Sequence, residues 1–136
     1  MKRAGTATEF SVQIDVAFEG MMENLRMVIR AIALEALKRI VLRTPVDKGR
    51  ARGNWFVSIG GSAPIEITTQ TDKNGSVTIS RGSEIIGTYE NQDGFPIISI
   101  YNNLPYINRL ETGYSGQAPE GMVAITAAEL QTEVAG

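Results

Sequence analysis

The chain of 136 residues contains no cysteine and no histidine. Without cysteine there are no disulfides and no thiolate metal ligands. Without histidine the commonest general base, the commonest metal ligand and the usual pH switch are missing. Nucleophilic sets of the Ser-His-Asp or Cys-His kind are therefore excluded. Aromatic residues are sparse at 7%, with one tryptophan. No apolar run approaches the roughly 20 residues needed to cross a bilayer. The opening "MKRAGTATEFSVQ" starts with cations but has no apolar core, so it does not read as a signal peptide. Carboxylates could in principle do acid/base work, as in glycosidases. Asp93, Glu111 and Glu120, however, sit in turn-like polar contexts, and no D-x-D-like cluster suggests a magnesium site. Gly60, Gly61, Gly82 and Gly87 form neither a P-loop nor a dinucleotide fingerprint. The expectation is a protein with no catalytic residues, no metal, no cofactor and no membrane partner.

What remains fits one domain with one core. Hydrophobic residues make up 43% and charged residues 21%, ordinary values for a globular protein. The net charge of −2 hides an asymmetry. Residues 1–53 hold ten Lys/Arg against six acids, and residues 54–136 hold three against nine. Subunits divided this way can stack head to tail or turn one sign toward a polyanion. The alternative is that the charges are solvated on opposite faces.

Residues 1–14 read as an N-terminal arm, with Phe10, Val12 and Ile14 alternating in a short extended segment. A single α+β domain is expected over 15–136. Asp15 can cap a helix. Phe18, Met22, Leu25, Ile29, Ile32, Ala36 and Ile40 then recur at spacings of three and four, one apolar helical face. Unbroken to Arg43, that helix would be about 40 Å long. Met21, Val28, Leu34, Leu37 and Val41 widen the apolar surface, consistent with a helix sunk in its own core or one that also meets a neighbour. Thr44-Pro45 ends the helix, because a residue before proline is pushed from the α region. "NWFVSIG" reads as a strand with Trp55, Val57 and Ile59 on one face. "IEITTQTDKNGSVTIS" reads as a hairpin turning at "DKNG". A short helix capped at Ser83 and a strand over "FPIISIYNN" follow. Pro105 and Pro119 each suit the first position of a helix, the second running to about Val134. The fold class is α+β: a long N-terminal helix on a small, mostly antiparallel sheet, with a C-terminal helix.

The stretch "TPVDKGRARGNW" (Thr44–Trp55) concentrates turn residues and cations. Pro45, Asp47 and Gly49 can make a fixed corner, with Trp55 buried behind it. Lys48, Arg50 and Arg52 alternate, and in an extended loop all three would project to one side. Guanidinium groups suit phosphate or carboxylate forks, and a basic loop near a tryptophan can bind nucleic acid. Alternatively, Asp47 pairs locally with Arg50.

That stretch, together with "NNLPYINRLETGYSGQAPEGMV" (Asn102–Val123), resembles the small neck, or tail-completion, proteins of long-tailed bacteriophages, the minor tail protein Z-like group. The similarity runs from about Phe10 to Val123. The family's first motif usually reads T-P-V-D-T-G-R, with a tryptophan a few residues on. Lys48 stands here in place of the threonine, and Ile107 where a small residue usually follows "PY". The resemblance implies a structural virion protein at the head–tail junction, assembled in the host cytoplasm, and not an enzyme. It implies a ring around the DNA channel, a hexamer rather than a dodecamer. Adjacent head-completion, tail-terminator or tail-tube proteins would be partners, with genomic DNA inside the channel. On this reading Lys48, Arg50 and Arg52 contact DNA or a partner. Asn102, Asn103, Tyr106, Arg109, Glu111 and Tyr114 contribute to an interface with another subunit or a neighbouring protein, with Arg109 and Glu111 as lateral salt-bridge partners. An exposed local Arg109–Glu111 pair is the plainer alternative. A free DNA-binding or regulatory module using the 48–52 loop is the other function to weigh. Stand-alone DNA binders are usually basic overall, whereas the sequence pI is near 5.2.

Overall fold

The computed structural model describes residues 9–12, 22–61, 64–113, 116–118 and 120–135. Strand β1 (Glu9–Val12) precedes the long helix α1 (Met22–Arg43). A single turn, α2 (Arg50–Gly53), leads into β2 (Phe56–Ile59). Helix α3 (Ser76–Gly87) continues through a 3-10 turn, and then come β3 (Ile98–Tyr101), α4 (Ile107–Glu111) and α5 (Val123–Ala135). The expected class is observed: an α+β fold with a long N-terminal helix, a small antiparallel sheet and a C-terminal helix. The proposed cap at Asp15 and the helix start at Phe18 lie outside the described residues, as does Pro119.

The sheet has the order β1-β3-β2, and β3 pairs antiparallel on both edges. Phe10, Ile100 and Val57 form one row across it, and Ser11, Ser99 and Ser58 the next. Glu9–Val12, within the segment read as an arm, is thus part of the sheet. All four residues of β3 are buried, as expected of a central strand covered on both sides. Helix α1 lies against this sheet and turns Ile29, Ala33, Ala36, Leu37, Ile40 and Val41 into the core. Leu37 and Val41 are therefore core residues. Val28 and Leu42 remain about half exposed.

The hairpin expected over 65–80 does not form. The "DKNG" turn exists, but it opens a helix: Gly75 adopts φ 79°, and Asp72 Oδ2 accepts the Thr78 N–H at 2.7 Å. The buried positions of α3 are Thr78, Gly82 and Ile86, spaced by four. A threonine and a glycine conceal that period, while Val77 and Ile79 mimic a strand alternation. Gly82 allows close packing, since a Cβ there would lie 2.6 Å from Leu37 Cδ2 and 2.9 Å from Val57 Cγ2 and would displace them. Ser83 accordingly sits inside α3 and caps nothing. Residues 64–72 run without ladder pairing.

Helix α5 packs on α1 through an ionic seam. Arg43 Nη2 donates to both carboxylate oxygens of Glu129, at 2.7 and 2.6 Å. Arg39 donates to Glu133 at 2.8 and 2.9 Å and to Glu35 at 2.9 Å. Hydrogen bonds from Arg43 and Arg39 hold the Glu129 and Glu133 carboxyls below their ordinary pKa of 4.5. A carboxylate held below its ordinary pKa stabilises the fold at higher pH, and that contribution fades as pH falls through the lowered value. Acidification below pH 4.5 is therefore expected to loosen α5 first. Amide exchange should report it, with α5 losing protection before α1. Glu129→Gln with Glu133→Gln should flatten this pH dependence, and an unchanged profile in the double variant would contradict the assignment.

Candidate functional site at the helix-to-sheet corner

Helix α1 stops at Thr44, whose hydroxyl donates to the Ile40 carbonyl at 2.7 Å. The same oxygen accepts the Trp55 Nε1–H at 2.7 Å. Trp55 is fully buried, so its one polar group is satisfied inside the core. Gly49 is the hinge of the corner, at φ 88°. Its carbonyl accepts from the amides of Gly53 and Asp72, each at 3.0 Å. A Cβ at Gly49 would lie 2.8 Å from Lys73 N, so close backbone approach and positive φ both require glycine. Pro45 is buried, and Asp47 stands exposed beside it. Pro45, Asp47, Gly49 and Trp55 all lie in this connection from α1 to β2, where the sequence suggested a fixed corner.

The three cations do not share a side. Residues 50–53 are helical rather than extended, and this separates them. Lys48 and Arg50 are exposed, whereas Arg52 folds back, half-buried. Arg52 donates to the carbonyls of Leu42 (2.9 Å), Thr44 (3.0 and 3.3 Å) and Lys73 (2.6 Å). It satisfies carbonyls that the C-terminus of α1 leaves without intrahelical partners. Burial lowers its pKa, with the Asp72 charge opposing that shift. Arg52 is thus a structural clamp and not an outward contact.

The second motif packs directly on the first. Asn102 is buried, and its amide donates to the Ala51 carbonyl at 3.0 Å. Gln117 exchanges a pair of hydrogen bonds with the main chain of Val46, at 2.8 and 3.0 Å. Asn103 accepts the Glu66 N–H at 3.1 Å. Glu111 is engaged within its own chain. Its carboxylate accepts the amides of Met122 (3.0 Å), Val123 (2.9 Å) and Ala124 (2.9 Å). That caps the N-terminus of α5, where a negative charge suits the helix dipole. Arg109 is exposed and has its own interactions, and Tyr114 lies outside the described residues.

Between the two motifs lies an open cleft of about 370 Å³. Ala51, Leu110 and Tyr106 give it apolar walls, with Asp47, Lys48 and Arg50 at its margin. Of the residues singled out in the sequence, Pro45, Asp47, Lys48, Gly49, Arg50 and Tyr106 line this one cleft. Trp55, Arg52, Asn102 and Glu111 instead build its supports. Sequence reasoning missed Asn54 and Gln117, polar residues without a distinctive spacing. Asn54 is buried and brackets Thr68, accepting its N–H at 2.8 Å and donating to its carbonyl at 3.0 Å. No group of three or more acidic residues among those described is placed to hold a metal ion. No described helix is long and apolar enough to cross a membrane. Compared with protein families, curated proteins and solved structures, the chain matches none.

Proposed function

We propose that this chain is a structural component of a phage neck, acting in tail completion or head–tail joining and not as an enzyme. It would work as a ring around the DNA channel, a hexamer in preference to a dodecamer, in the virion. Adjacent head-completion, tail-terminator or tail-tube proteins are the expected neighbours, and channel DNA a further contact. One observation carries the reading. The two stretches that resemble the neck family, separated by some fifty residues, fold onto one cleft and are stitched together by Asn102 and Gln117. Such a corner is rigid and presents Lys48 and Arg50 outward. Rigid display of charge lowers the ordering cost of association.

The test is complementation of a phage deleted for this chain. Wild-type protein should restore infectious particles. Lys48→Glu with Arg50→Glu should leave filled heads and finished tails unjoined, because like charges at an interface cost several kcal/mol. The variant should fold, since surface changes alter stability by less than about 0.5 kcal/mol. Normal virions from the deletion, or full complementation by the variant, would overturn the proposal. Steeply salt-dependent DNA binding by the isolated protein would favour the free DNA-binding module instead.

A further inference from the structure

The turn that opens α3 contains the one asparagine of the chain that is followed by glycine, Asn74 before Gly75. A carboxamide in this position is open to attack by the chain itself. No side chain shields the glycine nitrogen, and the glycine backbone rotates freely. The other asparagines precede Leu25, Trp55, Gln92, Asn103, Leu104 and Arg109, where a side chain stands beside the nitrogen. Asn74 is exposed, so water reaches it.

The fold restrains this pair with few bonds. Gly75 N–H donates to the Asp72 carbonyl at 3.3 Å, a long hydrogen bond. Asn74 Oδ1 accepts the Ser76 N–H at 3.0 Å and the Ser76 hydroxyl at 2.8 Å. Closing a ring between Gly75 N and Asn74 Cγ turns the main chain at Asn74 and takes Gly75 N away from Asp72. The bonds to lose are local and at the surface, where opening costs much less than global unfolding. On either side the chain is anchored in the corner. Gly49 accepts the Asp72 N–H at 3.0 Å, Arg52 holds the Lys73 carbonyl at 2.6 Å, and the Gly75 carbonyl accepts the Ile79 N–H at 2.9 Å.

We propose that Asn74 is a site of spontaneous deamidation, gated by opening of the 72–75 turn. Gly75 N gives up its proton to solvent base and attacks Asn74 Cγ. The bond from Cγ to Nδ2 breaks, and that nitrogen takes a proton and leaves as ammonia. Water then opens the resulting succinimide at one of its two carbonyls. One water is consumed and one ammonia released, with no change of oxidation state. Opening at the side-chain carbonyl leaves an aspartate, whose carboxylate can keep both bonds from Ser76 and suits the N-terminus of α3. Opening at the main-chain carbonyl leaves an isoaspartate, with an extra methylene in the backbone. Gly75 has no room to move, since even a Cβ there would lie 2.8 Å from Val41 Cγ1. The isoaspartate therefore loosens the first turn of α3 and, through Lys73, the Arg52 clamp.

The test incubates the full chain at mildly alkaline pH, folded and in guanidinium chloride, and follows each asparagine by peptide mass spectrometry. Asn74 should convert before any other asparagine in both states. The folded protein should convert more slowly than the denatured one by about ten-fold or more, the cost of opening the turn. Ser76→Ala removes one restraint on Oδ1. Relative to its own denatured rate, it should speed conversion in the fold by about two- to five-fold, the worth of one hydrogen bond. Asn74→Gln should abolish conversion at this position, because its longer side chain closes a less favourable ring. Asn74→Asp should melt like wild type, whereas the separated isoaspartyl protein should lose amide protection over residues 76–79. Conversion of another asparagine first, or an intact Asn74 in the denatured chain, would overturn the assignment. Equal rates in the folded and denatured states, or no gain from Ser76→Ala, would overturn the gating by the turn.

Discussion

Replacing Trp55 by alanine should destabilise the protein by roughly 3–5 kcal/mol, the scale for removing a large buried aromatic. The ring is fully buried and is among the largest side chains of the core. It does more than fill volume, because its Nε1–H reaches Thr44, the residue that ends α1. The Thr44 hydroxyl in turn holds the Ile40 carbonyl. Alanine would leave a cavity and deprive the buried Thr44 oxygen of a donor. Trp55→Phe would keep much of the packing and lose the hydrogen bond, an effect of about 1–3 kcal/mol. Natural domains have only about 5–15 kcal/mol of stability in total, so the alanine variant should be close to unfolding at body temperature. Denaturant midpoints of the three proteins check the order. Fluorescence offers a second check, because Trp55 is the only tryptophan. Its native emission should resist quenching by iodide. Free quenching, or an alanine variant as stable as wild type, would refute this account of the corner.

The corner was legible in the sequence because its residue types act locally. Proline excludes the helix at the residue before it, and a glycine at φ 88° is a local necessity. Helix α1 was legible for a similar reason, since its buried residues are mostly large and aliphatic and show the period openly. Helix α3 was not. Its buried stripe of Thr78, Gly82 and Ile86 contains one strongly apolar residue, and Gly82 is selected by the nearness of Leu37 and Val57. No local pattern announces a close approach to distant elements. The cleft was half legible. Its lining residues stand in two recognisable stretches, but which side chains face outward was decided by tertiary partners. Glu111 was read as a surface charge because the three amides it caps belong to residues 122–124, far along the chain. Asn54 and Gln117 lie inside the two stretches, yet neither carried a signal of its own. A lone amide side chain becomes important only through the backbone placed beside it.

Arg52 is where that limit has its largest consequence. Arg52→Ala should cost about 2–3 kcal/mol, mainly from the partly buried Thr44 carbonyl that loses its charged donor. The Leu42 and Lys73 carbonyls are reached by water, which replaces much of what they lose. Arg52→Glu should be worse, since it brings a negative charge to the negative end of α1. Arg52→Lys should rescue little. An ammonium has three donors at one point, and the acceptors are spread over three residues that a planar guanidinium can span. The exposed neighbours provide the control, because Lys48→Ala with Arg50→Ala should change stability by no more than about 0.5 kcal/mol. Thermal and denaturant unfolding of these variants separates the roles. Arg52 should govern melting, and Lys48 with Arg50 should govern association. If Arg52→Ala melts like wild type, the clamp contributes nothing. If the Lys48 and Arg50 pair lowers the melting point as much as Arg52 does, the division between one folding cation and two contact cations is wrong. The complementation phenotype of Lys48→Glu with Arg50→Glu would then report misfolding rather than a lost contact.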